Sequence, residues 1–238
     1  MVFSVYHIAR YVNTAAEVGK KEYPLTFSVN CWLNKPCEPA GIYLSDGSIS
    51  KWRYCAPNIV LYAPDIYLSD FSGISGEYLR RGETLFIPEC ATHRYDAARN
   101  ILCVGRHHGV CYSPFGFEDM GSPLNAQQMA LFGVDVADPV LQSSQNLETY
   151  GRINRMLNGM IPKLTNLYGT DELKADSGER DSVSVFQTGD VRIQADYLKP
   201  EVACLILQES DHEVFILAYE AAFQITSVDP GSRAWISF

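Results

Sequence analysis

The spacing of apolar residues predicts a helix at the start of the chain. From Val5 to Ala16, apolar residues recur at the i, i+3, i+4 and i+7 positions of one helical face. Gly19, followed by two lysines, is typical of a helix end. A second amphipathic helix is predicted at 145–167, where the apolar side continues past Pro162.

Between these two helices the chain alternates short apolar runs with helical segments. The apolar runs lie at 25–33, 58–68, 82–89 and 109–119. Helices are predicted after the first and third runs, at 51–56 and 94–104. The runs are continuously apolar, which favours parallel strands that are covered by helices over an exposed antiparallel sheet. The sequence therefore predicts an α/β fold with four parallel strands, half the number in an eight-stranded (β/α) barrel.

The pattern changes after the second long helix. Residues 170–182 are polar and charged, and we interpret them as a linker. From Val183 onwards apolar residues alternate with polar ones, and turn-like groups separate the runs. The predicted organisation is a partial barrel at 1–169, the linker at 170–182, and a partial antiparallel, sandwich-like β domain at 183–238.

Composition and charge narrow the classes of partner. The chain has 238 residues, of which 47% are hydrophobic, and its formal net charge is −9. An acidic surface repels nucleic-acid backbones and anionic membranes, so we expect neither as a partner. No apolar run approaches the roughly 20 residues of a membrane-spanning helix, and the first residues lack the features of a secretory signal, which favours a cytoplasmic location. The seven cysteines form no CxxC pair, so we expect no zinc site.

Polar and aromatic residues stand where the predicted strands end. Chemistry in a (β/α) barrel is found at this edge, which makes these residues candidates for a site. They are Asn30, Trp32, Asp65, Tyr67, Glu89 and Glu118. A carboxylate beside tyrosine and tryptophan suits glycoside hydrolysis. Glu89 could instead cap the next helix or pair with Arg94, and Asp65, inside an apolar run, is more typical of a structural, hydrogen-bonded acid.

Four motifs extend this interpretation beyond single residues. They are NCWLNKP, LYAPDIYLSDF, ETLFIPE and GVCYSPFGFEDM. In this order and spacing they resemble the second half of the catalytic barrel of β-galactosidase-like glycoside hydrolases of family 35, of the bacterial type with an appended β domain. The resemblance covers most of residues 5–167 and extends more weakly into 183–238. It implies that 25–30, 59–67, 84–89 and 109–113 are barrel strands five to eight.

The resemblance also implies a role for each candidate residue. Glu89, at the end of strand seven, would be the nucleophile of a retaining hydrolase that acts on terminal β-galactosides or related β-glycosides. Tyr67 would hydrogen-bond this carboxylate and hold it ionised. Asn30, Trp32 and Glu118 would belong to the sugar-binding wall. The chemistry implied needs no metal and no cofactor.

One element of the family pattern is missing from this sequence. In the family the acid/base glutamate follows strand four in an Asn-Glu pair, and this chain has no such pair at a predicted strand end. We therefore expect the chain to be inactive alone and to need a second chain that supplies the N-terminal half-barrel, or a second copy of itself. The alternative is a remnant of a hydrolase that binds carbohydrate or acts as a scaffold without catalysis.

Overall fold

The computed structural model describes residues 2–32, 48–67, 70–80, 82–90, 95–117, 125–127, 147–210 and 213–228. The chain forms two compact units. The first contains Met1–Ala91 and Gly109–Phe115, and the second contains Thr92–His108 and Gly116–Phe238. No helix among the described residues has the length and apolar content needed to cross a bilayer.

The described elements alternate between helices and strands in the first half of the chain and are mainly strands in the second. The helices are α1 (Val2–Glu22), α2 (Ser48–Cys55), α3 (Phe71–Arg80), α4 (Asp96–Ile101), a π-helical turn (Leu102–Arg106) and α5 (Leu147–Leu167). The strands are β1 (Phe27–Trp32), β2 (Ile59–Ile66), β3 (Phe86–Cys90), β4 (Cys111–Pro114), β5 (Leu173–Gly178), β6 (Val183–Thr188), β7 (Val191–Tyr197), β8 (Val202–Ser210), β9 (Glu213–Tyr219) and β10 (Ala221–Ser227).

The first unit is built on a four-stranded parallel sheet in the order β1-β2-β3-β4. Each predicted apolar run contains or overlaps one of these strands, and the α/β prediction is confirmed. Alternate residues of β1 point to opposite faces. Phe27, Val29 and Cys31 pack into a core with buried residues of α1 and α2, whereas Ser28 and Asn30 are exposed. The helices α1 and α2 therefore cover one face of the sheet, and Asn30 lies on the other.

Helix α3 has no counterpart among the predicted elements. Its sequence contains two glycines, which lower helix propensity by about 1 kcal/mol each, and it has a short apolar pattern. The helix is nevertheless started by Asp70, whose side-chain oxygen accepts a hydrogen bond of 2.9 Å from the backbone N–H of Gly73. Phe71, Ser75 and Tyr78 are buried at its packed side. Capping and tertiary packing thus outweigh a weak local signal.

The second unit contains two three-stranded antiparallel sheets, in the orders β5-β8-β9 and β10-β7-β6. Their apolar faces share one core, which includes Ile193 and Tyr197 from one sheet and Cys204 and Ile206 from the other. This arrangement confirms the antiparallel strands predicted after residue 183. Helix α4 and the π-helical turn pack against the opposite face of the β5-β8-β9 sheet. Gly105 of the π-helical turn lies so close to Leu205 of β8 that a Cβ atom at this position would come within 2.7 Å of the leucine side chain.

The prediction of a linker at 170–182 was wrong for its central part. Leu173–Gly178 form β5, which pairs along its whole length with β8. The sequence of this strand is polar and therefore resembles that of a loop. Its polar residues can lie in a strand because they have hydrogen-bond partners inside the unit. Asp176, for example, accepts hydrogen bonds from Arg106 at 2.8 Å and from Ser184 at 2.6 Å. The division into two compact units also differs from the predicted domain boundary at residue 169. Helices α4 and α5, which the prediction placed in the first domain, belong to the second unit.

Candidate functional site

The candidate site lies at the carboxyl ends of β2 and β3. These strands are neighbours in the parallel sheet, and Asp65 is the register partner of Glu89. Side chains of register partners project from the same face of a sheet, and the two strands are about 4.8 Å apart. The two carboxylates therefore stand side by side, on the same face as Asn30.

Glu89 is held by a tyrosine from the neighbouring strand end. The Tyr67 hydroxyl donates a hydrogen bond to Glu89 Oε1, and both side chains are half-buried. Burial and this hydrogen bond raise the pKa of Tyr67 well above its usual range, so the phenol keeps its proton and remains a donor. The Tyr67 ring also makes an edge contact with Phe115, with 6.5 Å between the ring centroids. These contacts fix one oxygen of the Glu89 carboxylate.

Asp65 is the second carboxylate at this edge. Asn30 Nδ2 donates a hydrogen bond of 3.1 Å to Asp65 Oδ1, and only 8% of Asp65 is exposed. The sequence interpretation of a hydrogen-bonded acid at this position is confirmed. Burial, together with the negative charge of Glu89, raises the pKa of Asp65 to about 6, while the hydrogen bond from Asn30 acts in the opposite direction. Asp65 therefore changes charge close to neutral pH.

This arrangement predicts how substitutions shift the titration of Asp65. Glu89→Gln removes the neighbouring negative charge, so we expect the Asp65 pKa to fall below about 6, while burial, the larger cause, continues to raise it. Asn30→Ala removes the donor that stabilises the charged form, so the pKa should rise. The pKa can be measured from the side-chain carboxyl ¹³C resonance during a pH titration, with Asp65→Asn to assign the signal. An unchanged midpoint in Glu89→Gln would show that the two carboxylates do not interact.

Four of the six candidate residues come together in the structure. Asn30 contacts Asp65 and Tyr67 contacts Glu89, so these four form one cluster on adjacent strands. The backbone of Trp32 is the register partner of Asp65, but the Trp32 side chain lies outside the described part of the structure. Glu118 also falls outside the described residues.

Sequence reasoning did not find the interaction between Asp65 and Glu89. Both residues stand near the end of an apolar run, and neighbouring parallel strands bring such positions to one edge. The position of both residues near strand ends therefore indicated that they could lie at the same edge. Their pairing depends on the register between β2 and β3, which no local sequence pattern determines. The resulting site combines an anchored carboxylate, a phenol donor and a buried acid. A carboxylate held in this way is suited to act as a nucleophile or as a base.

Comparisons with known proteins add no identification. A scan against protein-family models matches no family, and a search of curated proteins finds no match. The functional assignment therefore depends on the geometry of this site and on the motifs of the sequence.

Proposed function

We propose that this chain provides the nucleophile side of a retaining glycoside hydrolase site, of the β-galactosidase type that its motifs resemble. In this proposal the four parallel strands correspond to strands five to eight of a (β/α) barrel. Glu89 attacks the anomeric carbon of a terminal β-galactoside or related β-glycoside and forms a covalent glycosyl ester. Asn30, Trp32 and Glu118 contact the sugar.

The hydrogen bond between Tyr67 and Glu89 is the observation that carries the proposal. A nucleophilic carboxylate must be ionised, and it must present one oxygen to the sugar while the other is held. The Tyr67 hydroxyl holds one oxygen by donating to Glu89 Oε1 at the carboxyl end of β3. The edge of the sheet where they meet is the edge that bears chemistry in parallel α/β folds.

Asp65 does not fit the role of general acid in this mechanism. In a retaining hydrolase the acid and the nucleophile flank the glycosidic bond, with the sugar between them. Asp65 and Glu89 are register partners on adjacent strands, so they lie beside each other. Asp65 also accepts a hydrogen bond from Asn30. We propose that the proton donor comes from a second polypeptide, which adds strands to the outer strands β1 and β4 of the sheet.

The proposal predicts activity on substrates that need no proton donor. Dinitrophenolate leaves with its electron pair as the Glu89 oxygen bonds to C1, so 2,4-dinitrophenyl β-galactoside should react with the chain alone. Azide needs no general base, so it should displace Glu89 from C1 and release β-galactosyl azide. Phenyl β-galactoside should react about 10² to 10⁴ times more slowly, because its leaving group needs protonation. Chromatography with NMR identifies the azide product.

Two results would contradict this function. Dinitrophenolate release no faster than in buffer, with or without azide, would exclude a nucleophile at this site. Saturable galactose binding without release, detected by tryptophan fluorescence, would favour the non-catalytic carbohydrate-binding remnant. A third measurement supports or opposes the second-chain step: adding a polypeptide with strands one to four should restore hydrolysis of phenyl β-galactoside.

A further inference from the structure

A groove of about 660 Å³ lies in the second unit, between α5 and the edge of a sheet. One wall is formed by consecutive residues of β9 and the turn after it, Ile216 to Glu220. The other wall comes from Thr149, Arg152, Ile153 and Met156, whose spacing places them on one face of α5. Tyr95 and Lys199 complete the lining.

The groove borders the edge of β9 and not one of its faces. Successive side chains of a strand point to opposite faces, and here residues from both faces line the same space. In the sheet order β5-β8-β9, strand β9 pairs with β8 and has no second neighbour among the described strands. The outer edge of β9 therefore borders the groove along 216–219, roughly 13 Å of strand, while the Glu220 carbonyl in the turn accepts a hydrogen bond from the Leu198 backbone N–H.

Outside the groove lining, Lys163 links α5 to β8 and β9. The Lys163 ammonium group lies 5.3 Å from the centroid of the Phe215 ring and forms an ion pair with Glu209. These contacts connect the later part of the helix to the sheet, whereas the helix face from Thr149 to Met156 lines the open space beside β9. A helix that runs beside an open strand edge leaves room for an extended peptide that adds to the sheet.

The charge of the lining favours an acidic occupant. The lining contains the cations Arg152 and Lys199 and, among the described lining residues, a single anion, Glu220. Arg152 is exposed and forms no ion pair with a described residue. This local excess of positive charge occurs in a chain whose net charge is −9. An acidic segment would thus be attracted to the groove and repelled by much of the remaining surface.

We propose that this groove binds an extended acidic segment of a partner protein, which adds to β9 as a further strand. Backbone hydrogen bonds to β9 provide the affinity. An acidic side chain that pairs with Arg152 provides the selectivity, and apolar side chains of the segment lie against Ile153 and Met156. This binding is independent of the chemistry proposed for Glu89, because it uses none of the residues of that site.

The test uses a fluorescein-labelled heptapeptide that alternates glutamate and valine, and a counterpart that alternates lysine and valine. Fluorescence anisotropy should show saturable binding of the acidic peptide, and amide NMR shifts should concentrate at 216–220. Arg152→Glu should weaken this binding by about tenfold or more. Arg155→Glu changes an exposed arginine of the same helix that is outside the groove lining, so binding should be unchanged. Circular dichroism checks that both variants are folded.

Three outcomes would overturn the proposal. They are the failure of the acidic peptide to bind, equal binding of the lysine peptide, and equal weakening by the two arginine substitutions. Sedimentation of the unliganded chain provides a further criterion. A stable dimer whose exchange-protected amides include 216–220 would mean that a second copy occupies the groove, and this also contradicts the proposal.

Discussion

Replacing Glu89 with glutamine is expected to lower the release of dinitrophenolate from 2,4-dinitrophenyl β-galactoside by at least about 10³-fold. Glutamine keeps the size of the side chain and can still accept a hydrogen bond from Tyr67, but its amide oxygen is a poor nucleophile. The covalent ester would not form, and the rate would fall to that of the solvent reaction. Release is followed by absorbance under single-turnover conditions.

Other substitutions in the first unit separate a nucleophile from a structural carboxylate. Tyr67→Phe removes the donor to Glu89 and should lower the rate of dinitrophenolate release by about 10- to 100-fold, which corresponds to the loss of one hydrogen bond to a charged group. Asp70→Asn is the matched control, because Asp70 is exposed and asparagine caps a helix equally well. Its rate should be unchanged. Equal losses in Glu89→Gln and Asp70→Asn would point to altered folding and would contradict the assignment.

The product formed with azide gives a stereochemical signature of Glu89. In Glu89→Gly azide enters the space left by the carboxylate and attacks C1 directly. The product should then be α-galactosyl azide, whereas the unmodified chain should release the β anomer after two displacements. The same anomer from both proteins would show that Glu89 forms no covalent intermediate.

Replacing Glu201 with glutamine is expected to lower the free energy of unfolding of the second unit by about 3 kcal/mol. Arg99 is buried, with 6% of its side chain exposed, and its guanidinium group binds both carboxylate oxygens of Glu201 at 2.9 and 3.1 Å. The substitution removes the negative charge of Glu201 from beside the buried guanidinium group. Urea unfolding, monitored by circular dichroism, measures the loss.

The pair formed by Lys163 and Glu209 provides the control for this stability prediction. Its side chains are 51% and 34% exposed, so Glu209→Gln should cost less than about 1 kcal/mol. Replacing Arg99 with methionine in the Glu201→Gln protein removes the buried charge and should restore part of the stability. Equal effects of Glu201→Gln and Glu209→Gln would show that burial of Arg99 does not determine the energy of the pair.

The sequence was sufficient to predict the elements whose signals are local. Continuous apolar runs located β1 to β4, as is typical of parallel strands that pack against helices. The same reasoning did not find α3, where a cap at Asp70 starts a helix that contains Gly73 and Gly76. It also did not find β5, whose polar residues are paired with residues distant in the sequence.

For the candidate site, the motif resemblance implied the hydrogen bond between Tyr67 and Glu89, but no local pattern in the sequence indicated that Asp65 lies beside Glu89. Glu89 and Tyr67 were selected through the motif resemblance, and the structure brings them into contact. The position of Asp65 beside Glu89 depends on the register of two strands separated by α3. Such a register is determined by the packing of the whole sheet, so the raised pKa of Asp65 could not be expected from the sequence alone.

The most direct test of the role of Glu89 is to locate a trapped sugar on the chain. Incubation with 2,4-dinitrophenyl 2-deoxy-2-fluoro-β-galactoside slows the release of the sugar from the nucleophile, so that the ester accumulates. Proteolysis and tandem mass spectrometry then identify the residue that carries it. We predict a single fluorogalactosyl group on Glu89. A group on Asp65 or another carboxylate, or an unlabelled chain after complete dinitrophenolate release, would contradict the assignment.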